Sequence, residues 1–112
     1  MTEEDIMVEL YNVYCKHQLS PAVVGDRKPC FGWKLRSDRH GSYQKSYRIL
    51  LYHDQTLLWD SCVVETTETS NIPYNGPILL EAEEYHWRVC VTMRDEDTAW
   101  SEDQLIRTGL DH

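Results

Sequence analysis

The stretch YHWRVCVT, residues 85–92, decides the fold. Its apolar side chains, Tyr85, Trp87, Val89 and Val91, alternate with residues that tolerate water. A period of two is typical of a β-strand that buries one face. Because the buried face is rich in aromatic and β-branched residues, the stretch predicts a strand of an antiparallel sheet packed on a second sheet.

The same alternation recurs towards the N-terminus. One segment runs through Phe31, Trp33 and Leu35, and another runs through Tyr47, Ile49 and Leu51. Weaker strands are predicted at residues 7–14, 57–64, 71–74 and 104–108, with turn residues such as Asn75-Gly76-Pro77 between strands. No segment has a convincing helical period. The pattern predicts an all-β, immunoglobulin-like or fibronectin type III β-sandwich of about seven antiparallel strands in two sheets.

The predicted core consists of the apolar residues on the inward faces of the three strongest strands. These residues are Phe31, Trp33, Leu35, Tyr47, Ile49, Tyr85, Trp87 and Val89. Tyr85 begins its strand six residues after Leu79. A tyrosine there buries its ring and sends its hydroxyl back to the preceding turn, which predicts the tyrosine corner of such sandwiches.

Length and charge restrict the classes of function. A chain of 112 residues predicts a single domain, residues 1–112, with a core but no room for a deep substrate cavity. Its net charge of −8 argues against nucleic acid and anionic membrane surfaces as partners. No apolar stretch has the length of a membrane span. The acidic start, MTEED, is unlike a secretory signal, so a cytoplasmic location is expected.

Neither a metal site nor a catalytic site is predicted. Cys15, Cys30, Cys62 and Cys90 are widely spaced without a Cys-x-x-Cys pair, which argues against zinc, and no other cofactor is expected. Four separate thiols are the simpler interpretation, with a Cys15–Cys30 disulfide as the alternative. The acidic residues fall mainly in solvated turns, and no Gly-x-Ser-x-Gly elbow is present. We therefore predict that the chain alone is not an enzyme.

Four aromatic residues at predicted strand ends or edges are candidates for external contacts. They are Tyr52, Trp59, Tyr74 and Trp100. Packing under loops or against a neighbouring domain is the favoured role, and stacking on a carbohydrate is the alternative. Trp100 has a further option, because the guanidinium of Arg88 or Arg94 can lie over its ring.

Several motifs make the chain resemble a known family. They are PCFGWKL at residues 29–35, QKSYRILL at 44–51, LLWDS at 57–61, YNG at 74–76, YHWRV at 85–89, WSE at 100–102 and TGL at 108–110. Their order and spacing, from about Val8 to Leu110, resemble the N-terminal fibronectin-like domain of bacterial α-L-rhamnosidases. The chain departs from that pattern at Cys30, Gly32, Cys62 and Ile106. Cys62 replaces a turn glycine, which puts the tight turn in doubt, since only glycine adopts a positive φ cheaply.

The resemblance implies a specific role. In that family the N-terminal domain precedes further β-sandwich domains and a helical toroid, whose acidic residues hydrolyse terminal rhamnose with inversion. The matching motifs contain none of those acidic residues. The resemblance therefore implies a non-catalytic structural domain whose partners are downstream domains of the same polypeptide. The alternatives are a carbohydrate-binding module and a protein-recognition fibronectin module of the receptor type.

Overall fold

The computed structural model describes residues 8–15, 18–19, 22–24, 29–37, 43–80 and 82–109, and these residues form β-strands and loops without a helix. The strands are β1 (Val8–Cys15), β2 (Gln18–Leu19), β3 (Ala22–Val24), β4 (Cys30–Ser37), β5 (Gln44–His53), β6 (Thr56–Asp60), β7 (Val64–Glu65), β8 (Ile72–Pro73), β9 (Glu84–Met93), β10 (Thr98–Trp100) and β11 (Gln104–Thr108). The predicted acidic start and Leu110 lie outside the described residues.

The strands form two sheets, which confirms the predicted sandwich. The smaller sheet has the order β2-β1-β4-β8, and the larger has the order β3-β11-β9-β5-β6, with β10 paired to β9 and β7 paired to β5. The pairing of β11 with β3 is parallel. The strand count exceeds about seven for two reasons. The predicted strand at 57–64 is divided into β6 and β7, and the short strands β2, β3 and β10 carry too few residues to show alternation.

Aromatic side chains from both sheets meet in the core. The ring centroids of Phe31 and Trp87 lie 4.5 Å apart, and those of Trp33 and Tyr47 lie 5.4 Å apart. Each pair joins a strand of the smaller sheet to a strand of the larger one. All predicted core residues are buried except Leu35, which is partly buried and packs against the same cluster. Burial of such side chains stabilises the fold by about 1.5–3 kcal/mol each.

Gln44 connects the two sheets through buried hydrogen bonds. Its side chain is among the fully buried ones, and its Oε1 accepts a hydrogen bond from Trp33 Nε1 at 3.0 Å. Its Nε2 donates to the carbonyl oxygens of Thr66 and Glu68 at 3.0 and 2.9 Å. The backbone N–H of Trp33 donates to the carbonyl of Thr69 at 2.9 Å. The loop at residues 66–69 is therefore fastened to both sheets.

Two serines, each just after an edge strand ends, form hydrogen bonds with the backbone of a central strand. The Ser61 Oγ accepts a hydrogen bond from Ile49 N at 2.8 Å, and Ser61 N donates to the Ile49 carbonyl at 2.9 Å. Ser101 makes the same pair of bonds with Val89, at 3.0 and 2.8 Å. Ile49 and Val89 are themselves partners in the β5–β9 ladder. Each hydroxyl thus replaces a strand carbonyl, which explains why the predicted strand at 57–64 is interrupted at Ser61.

Tyr85 forms the predicted tyrosine corner. Its ring is 1% exposed, and its hydroxyl accepts a hydrogen bond from the backbone N–H of Leu80 at 2.7 Å. Leu79, which precedes Leu80 in sequence, is fully buried, and the His53 ring stacks on the Tyr85 ring at a centroid distance of 4.8 Å. The corner therefore fixes the loop before β9 onto the end of the sandwich.

Cys62 forms the tight turn despite its side chain. Its φ of 59° lies in the left-handed region, and its N–H donates to Asp60 Oδ1 at 2.8 Å. A left-handed conformation costs a residue with a Cβ roughly 1–2 kcal/mol. Glycine avoids this cost, but it also makes the unfolded chain more flexible, which cancels part of the gain in stability. No disulfide involves Cys62, and none joins Cys15 to Cys30.

We expect Cys62→Gly to raise the free energy of unfolding by about 0.5–1 kcal/mol, because glycine removes the strain of the positive φ. Urea denaturation followed by tryptophan fluorescence measures the change. Cys62→Ser is the matched control, since serine removes the thiol but keeps a Cβ. Equal stability of the two variants would contradict the role assigned to strain.

Candidate functional site

The strongest candidate site lies on the outer face of the larger sheet, the face turned away from the smaller sheet. The alternation that buries Tyr85 and Trp87 turns His86, Arg88 and Cys90 outwards. His86 lies opposite Tyr52 on β5, and Cys90 lies opposite Trp100 on β10. The strand register therefore places Arg88 along β9 between the positions of two aromatic side chains.

A depression of about 470 Å³ opens on this outer face. It is lined by Tyr52, Gln55, His86, Arg88 and Asp103. Gln55 stands in the β5–β6 turn with a φ of 67°, and Asp103 immediately precedes β11. A phenol ring, an amide, an imidazole, a guanidinium and a carboxylate thus converge from three separate parts of the chain. We call this set the Tyr52–Asp103 depression.

Arg88 is held over Trp100 at the border of the depression. The guanidinium carbon lies 4.7 Å from the centre of the Trp100 ring, which confirms one of the two predicted cation–π pairs. Arg94 instead lies over Tyr43, at 5.7 Å. The Nε of Arg88 is shielded from water, and no described residue accepts a hydrogen bond from it. Arg88 therefore has an aromatic partner but no carboxylate partner among the described residues.

The neighbouring arginine on this face, Arg48, is paired with a carboxylate. Arg48 Nε and Nη2 donate to Asp60 Oδ1 and Oδ2 at 2.9 and 2.6 Å. These hydrogen bonds hold the pKa of Asp60 below its ordinary value. Burial raises the pKa of the adjacent Cys90 thiol. Because Arg48 already has a bidentate carboxylate, Arg88 is the guanidinium of the two that remains available to a ligand.

Two of the four candidate aromatic residues lie inside the sandwich instead. Tyr74 is 2% exposed, which excludes an external contact at this residue and confirms the favoured role, packing under a loop. Its hydroxyl donates to the carbonyl of Pro77, and burial raises its pKa to about 12. Trp59 is partly buried, with its ring centroid 4.7 Å from that of Tyr74 and 6.2 Å from that of Phe31. Both side chains therefore fill space under the loop that precedes β9.

That loop requires glycine at position 76, because there is no space for a side chain there. A Cβ at Gly76 would stand 2.6 Å from the Tyr74 ring and 2.7 Å from the Trp59 ring. Contacts this short force one of the rings to move. The YNG motif therefore serves the packing of Tyr74 and Trp59.

A second candidate surface lies at the end of the sandwich where β11 ends. Ile78 and Leu80, in the loop before β9, are each 56% exposed, and Leu57, after the β5–β6 turn, is 47% exposed. The loop is anchored there, since Thr108 Oγ1 donates to the Leu80 carbonyl at 2.5 Å. We call these three residues the apolar end surface. Sequence reasoning missed Ile78 and Leu80, although their position on either side of buried Leu79 is a signal that would have identified them.

The described residues show no cluster suited to metal binding. Groups of three or more His, Cys, Asp or Glu side chains that could hold a metal ion do not occur among them. Of the acidic residues in turns and at strand ends, Glu84, Glu96, Glu102 and Asp103 are exposed, whereas Glu83, Asp95 and Asp97 are partly buried. Within the same residues, no helix is long and apolar enough to cross a membrane.

Comparison with known proteins gives consistent matches. A family model described as "Rha78A-like, N-terminal immunoglobulin domain" matches residues 10–112. An α-L-rhamnosidase of Formosa agariphila is 29% identical over 99 residues, which cover 81% of this chain and 10% of that protein. The chain therefore spans about a tenth of the length of this curated relative.

Solved structures show the same fold. The α-L-rhamnosidase of Streptomyces avermitilis, complexed with L-rhamnose, has a TM-score of 0.85 at 24% identity, covering 93% of this chain and 11% of that chain. The α-L-rhamnosidase of Dictyoglumus thermophilum has a TM-score of 0.83 at 23% identity, covering 91% and 12%. At these identities the likeness establishes the sandwich fold alone.

Proposed function

Because the chain belongs to the family of Rha78A-like N-terminal immunoglobulin domains, we propose that it serves as a non-catalytic domain of an α-L-rhamnosidase that hydrolyses terminal α-L-rhamnose from glycosides. The observation that carries this proposal is the family match over residues 10–112. The sequence motifs that lie within the matched residues contribute to the core, the tyrosine corner and the serine-capped strands. Their roles in this chain are therefore structural.

The geometry of the outer face supports the non-catalytic part of the proposal. Inverting glycoside hydrolysis requires two carboxyl groups held about 6.5–9.5 Å apart across a sugar. The Tyr52–Asp103 depression is lined by a single carboxylate, that of Asp103. Rhamnoside hydrolysis would therefore belong to other domains of the same polypeptide.

The apolar end surface supports packing against those domains. Exposed apolar side chains that lie together mark interaction surfaces, and contacts between domains of one chain commonly use them. Ala82 N donates to the Gly109 carbonyl at 3.2 Å, so Gly109, the last described residue, lies beside the loop that carries Leu80. A domain that follows Gly109 would be in position to cover Ile78 and Leu80.

The reading frame after His112 tests the proposal directly. We expect several hundred further codons that encode a helical catalytic region. A stop codon immediately after His112 would contradict the proposal. In the resulting enzyme, deletion of residues 1–110 is expected to impair folding and activity, and an enzyme unchanged by this deletion would remove the structural role.

The double variant Ile78→Glu, Leu80→Glu tests the packing surface. In the 112-residue chain we expect the free energy of unfolding to change by less than about 0.5 kcal/mol, because both side chains are already exposed. In the full enzyme the two introduced carboxylates would be buried without partners at the interface, which weakens the contact between the domains. We therefore expect trypsin to release the domain several times faster. Limited proteolysis followed by mass spectrometry measures the rate.

Val63→Glu is the matched control for this variant. Val63 is 64% exposed and lies between β6 and β7, away from the apolar end surface. We expect it to leave release of the domain unchanged. Equal release rates for the double variant and the control would contradict packing through Ile78 and Leu80.

A further inference from the structure

We propose that the Tyr52–Asp103 depression is a binding site for a neutral sugar residue, in addition to the packing role of the domain. In this site the Tyr52 ring contacts an apolar face of the sugar. Arg88 donates hydrogen bonds to its hydroxyl oxygens, and Asp103 accepts a hydrogen bond from a neighbouring hydroxyl. The site uses the outer face of the larger sheet and shares no residue with the apolar end surface.

The first step of the argument is the unmatched polar pair in the depression. Arg88 is held in place by Trp100 and lines the depression, where no described carboxylate pairs with its guanidinium. Asp103 lines the same depression, is exposed, and forms no ion pair with a described residue. The depression thus presents a donor group held by Trp100 and an exposed acceptor group to the same ligand. Neighbouring hydroxyl groups, which both donate and accept, satisfy the two together.

The second step is the aromatic side chains on this face. Tyr52 lies opposite His86 on β9, and Trp100 lies opposite Cys90, four residues farther along that strand. At the rise of a β-strand, His86 and Cys90 are about 13 Å apart along β9. Trp100 is 47% exposed although Arg88 covers part of its ring. An aromatic ring beside hydrogen-bonding groups is the combination that recognises a ring with both a C–H face and hydroxyls.

The third step is size and charge. A volume of about 470 Å³ lies within the range of small-molecule sites. The chain carries a net charge of −8, and within the site the Asp103 carboxylate offsets the charge of the Arg88 guanidinium. Anionic sugars would therefore be repelled, which favours a neutral sugar. Peptide capture by strand addition is disfavoured, because the depression lies on the face of the sheet and not along an unpaired strand edge.

Titration of the 112-residue chain with L-rhamnose, D-glucose, D-galactose and D-glucuronate tests the site. Two-dimensional ¹H–¹⁵N NMR would follow the backbone amides. We expect at least one of the neutral sugars to shift amides around Tyr52, His86 and Asp103, with a dissociation constant on the order of 1 mM. The charged D-glucuronate is expected to bind at least several times more weakly.

Variants of the lining residues sharpen the test. We expect Tyr52→Ala and Asp103→Asn each to raise the dissociation constant about tenfold or more. The matched control is Arg36→Gln, because Arg36 lies over the Tyr11 ring at 4.4 Å on the smaller sheet and is ion-paired with Glu9 at 3.0 Å. This control removes a cation–π pair elsewhere, so the dissociation constant should change less than twofold.

Three outcomes would overturn the proposal. They are the absence of amide shifts with all neutral sugars up to about 100 times the expected dissociation constant, shifts that cluster away from the depression, and tighter binding of D-glucuronate than of any neutral sugar. A further outcome would also overturn the sugar site. If the Tyr52 amide is protected from hydrogen exchange in the full enzyme while the free chain binds no sugar, this face is covered by a neighbouring domain. Each of these failures is distinguishable from failure of the packing role, which is tested at Ile78 and Leu80.

Discussion

Gln44→Leu is expected to lower the free energy of unfolding by about 3 kcal/mol, the largest effect among the substitutions considered. Leucine has a similar volume but leaves Trp33 Nε1 without its acceptor and the carbonyls of Thr66 and Glu68 without their donor. A buried polar group that loses its partner costs about 1–3 kcal/mol. For a domain of this size the loss corresponds to a melting temperature lower by roughly 12–20 °C.

Thermal and urea denaturation of the 112-residue chain measure this effect, and Gln104→Leu is the matched control. The Gln104 amide also donates to a backbone carbonyl, that of Glu102 at 2.9 Å, but its hydrogen bond is exposed to water. We expect this control to cost less than about 0.5 kcal/mol. Similar losses for the two variants would contradict the role of the buried network.

A double-mutant cycle isolates the bond between the sheets. Trp33→Phe removes the donor, so in the Gln44→Leu background it should cost about 1 kcal/mol less than in the original chain. A coupling close to zero would mean that the Trp33–Gln44 bond contributes nothing beyond packing. That result would assign the loss in Gln44→Leu to the loop at residues 66–69 alone.

Gln44 also shows where the strand pattern stops being predictive. Tyr47, Ile49 and Leu51 alternate correctly, and strict alternation back from Tyr47 assigns Gln44 to the outer face. The structure has a register shift between Gln44 and Ser46, which turns the Gln44 side chain into the core. Alternation within a strand follows from the side chains, whereas a bulge depends on the partner strand and leaves no local pattern.

The core was predictable because it depends on local alternation and burial of large aromatic residues. Trp33, Tyr47 and Trp87 occupy the interior, and the hydroxyl of Tyr85 reaches the turn that its distance from Leu79 suggested. These features follow from residue type and short spacing, which are visible in the sequence. The doubt about the tight turn was wrong, because Cys62 adopts the positive φ that glycine would have supplied.

The candidate site was predictable only in part, because its residues come together through the register of the larger sheet. Tyr52, Trp100 and the Arg88–Trp100 pair follow from residue type and strand position. Gln55 and Asp103 join them only because the β5–β6 turn and the start of β11 flank β9. Such long-range placement depends on turn lengths and strand order, which a single sequence does not specify.

Ser101→Ala is expected to lower the free energy of unfolding by about 2 kcal/mol, because it leaves the buried N–H of Val89 without an acceptor. Ser61→Ala should cost somewhat less, about 1–2 kcal/mol, since Ser61 and its hydrogen bond to Ile49 are only partly buried. Ser46→Ala is the matched control. Ser46 is 5% exposed, close to the 8% of Ser101, but it lies within β5 and not where an edge strand ends.

Amide hydrogen exchange distinguishes loss of these specific bonds from general destabilisation. In Ser101→Ala the Val89 amide should exchange at least tenfold faster relative to other core amides, and in Ser61→Ala the same should hold for Ile49. Because each hydroxyl serves its own strand, the two losses should add within about 0.5 kcal/mol in the double variant. Uniformly faster exchange throughout the core would show that the serines act through overall stability instead. Selective exchange at Val89 and Ile49 would explain why both tryptophan motifs, WDS and WSE, contain a serine where an edge strand leaves the sheet.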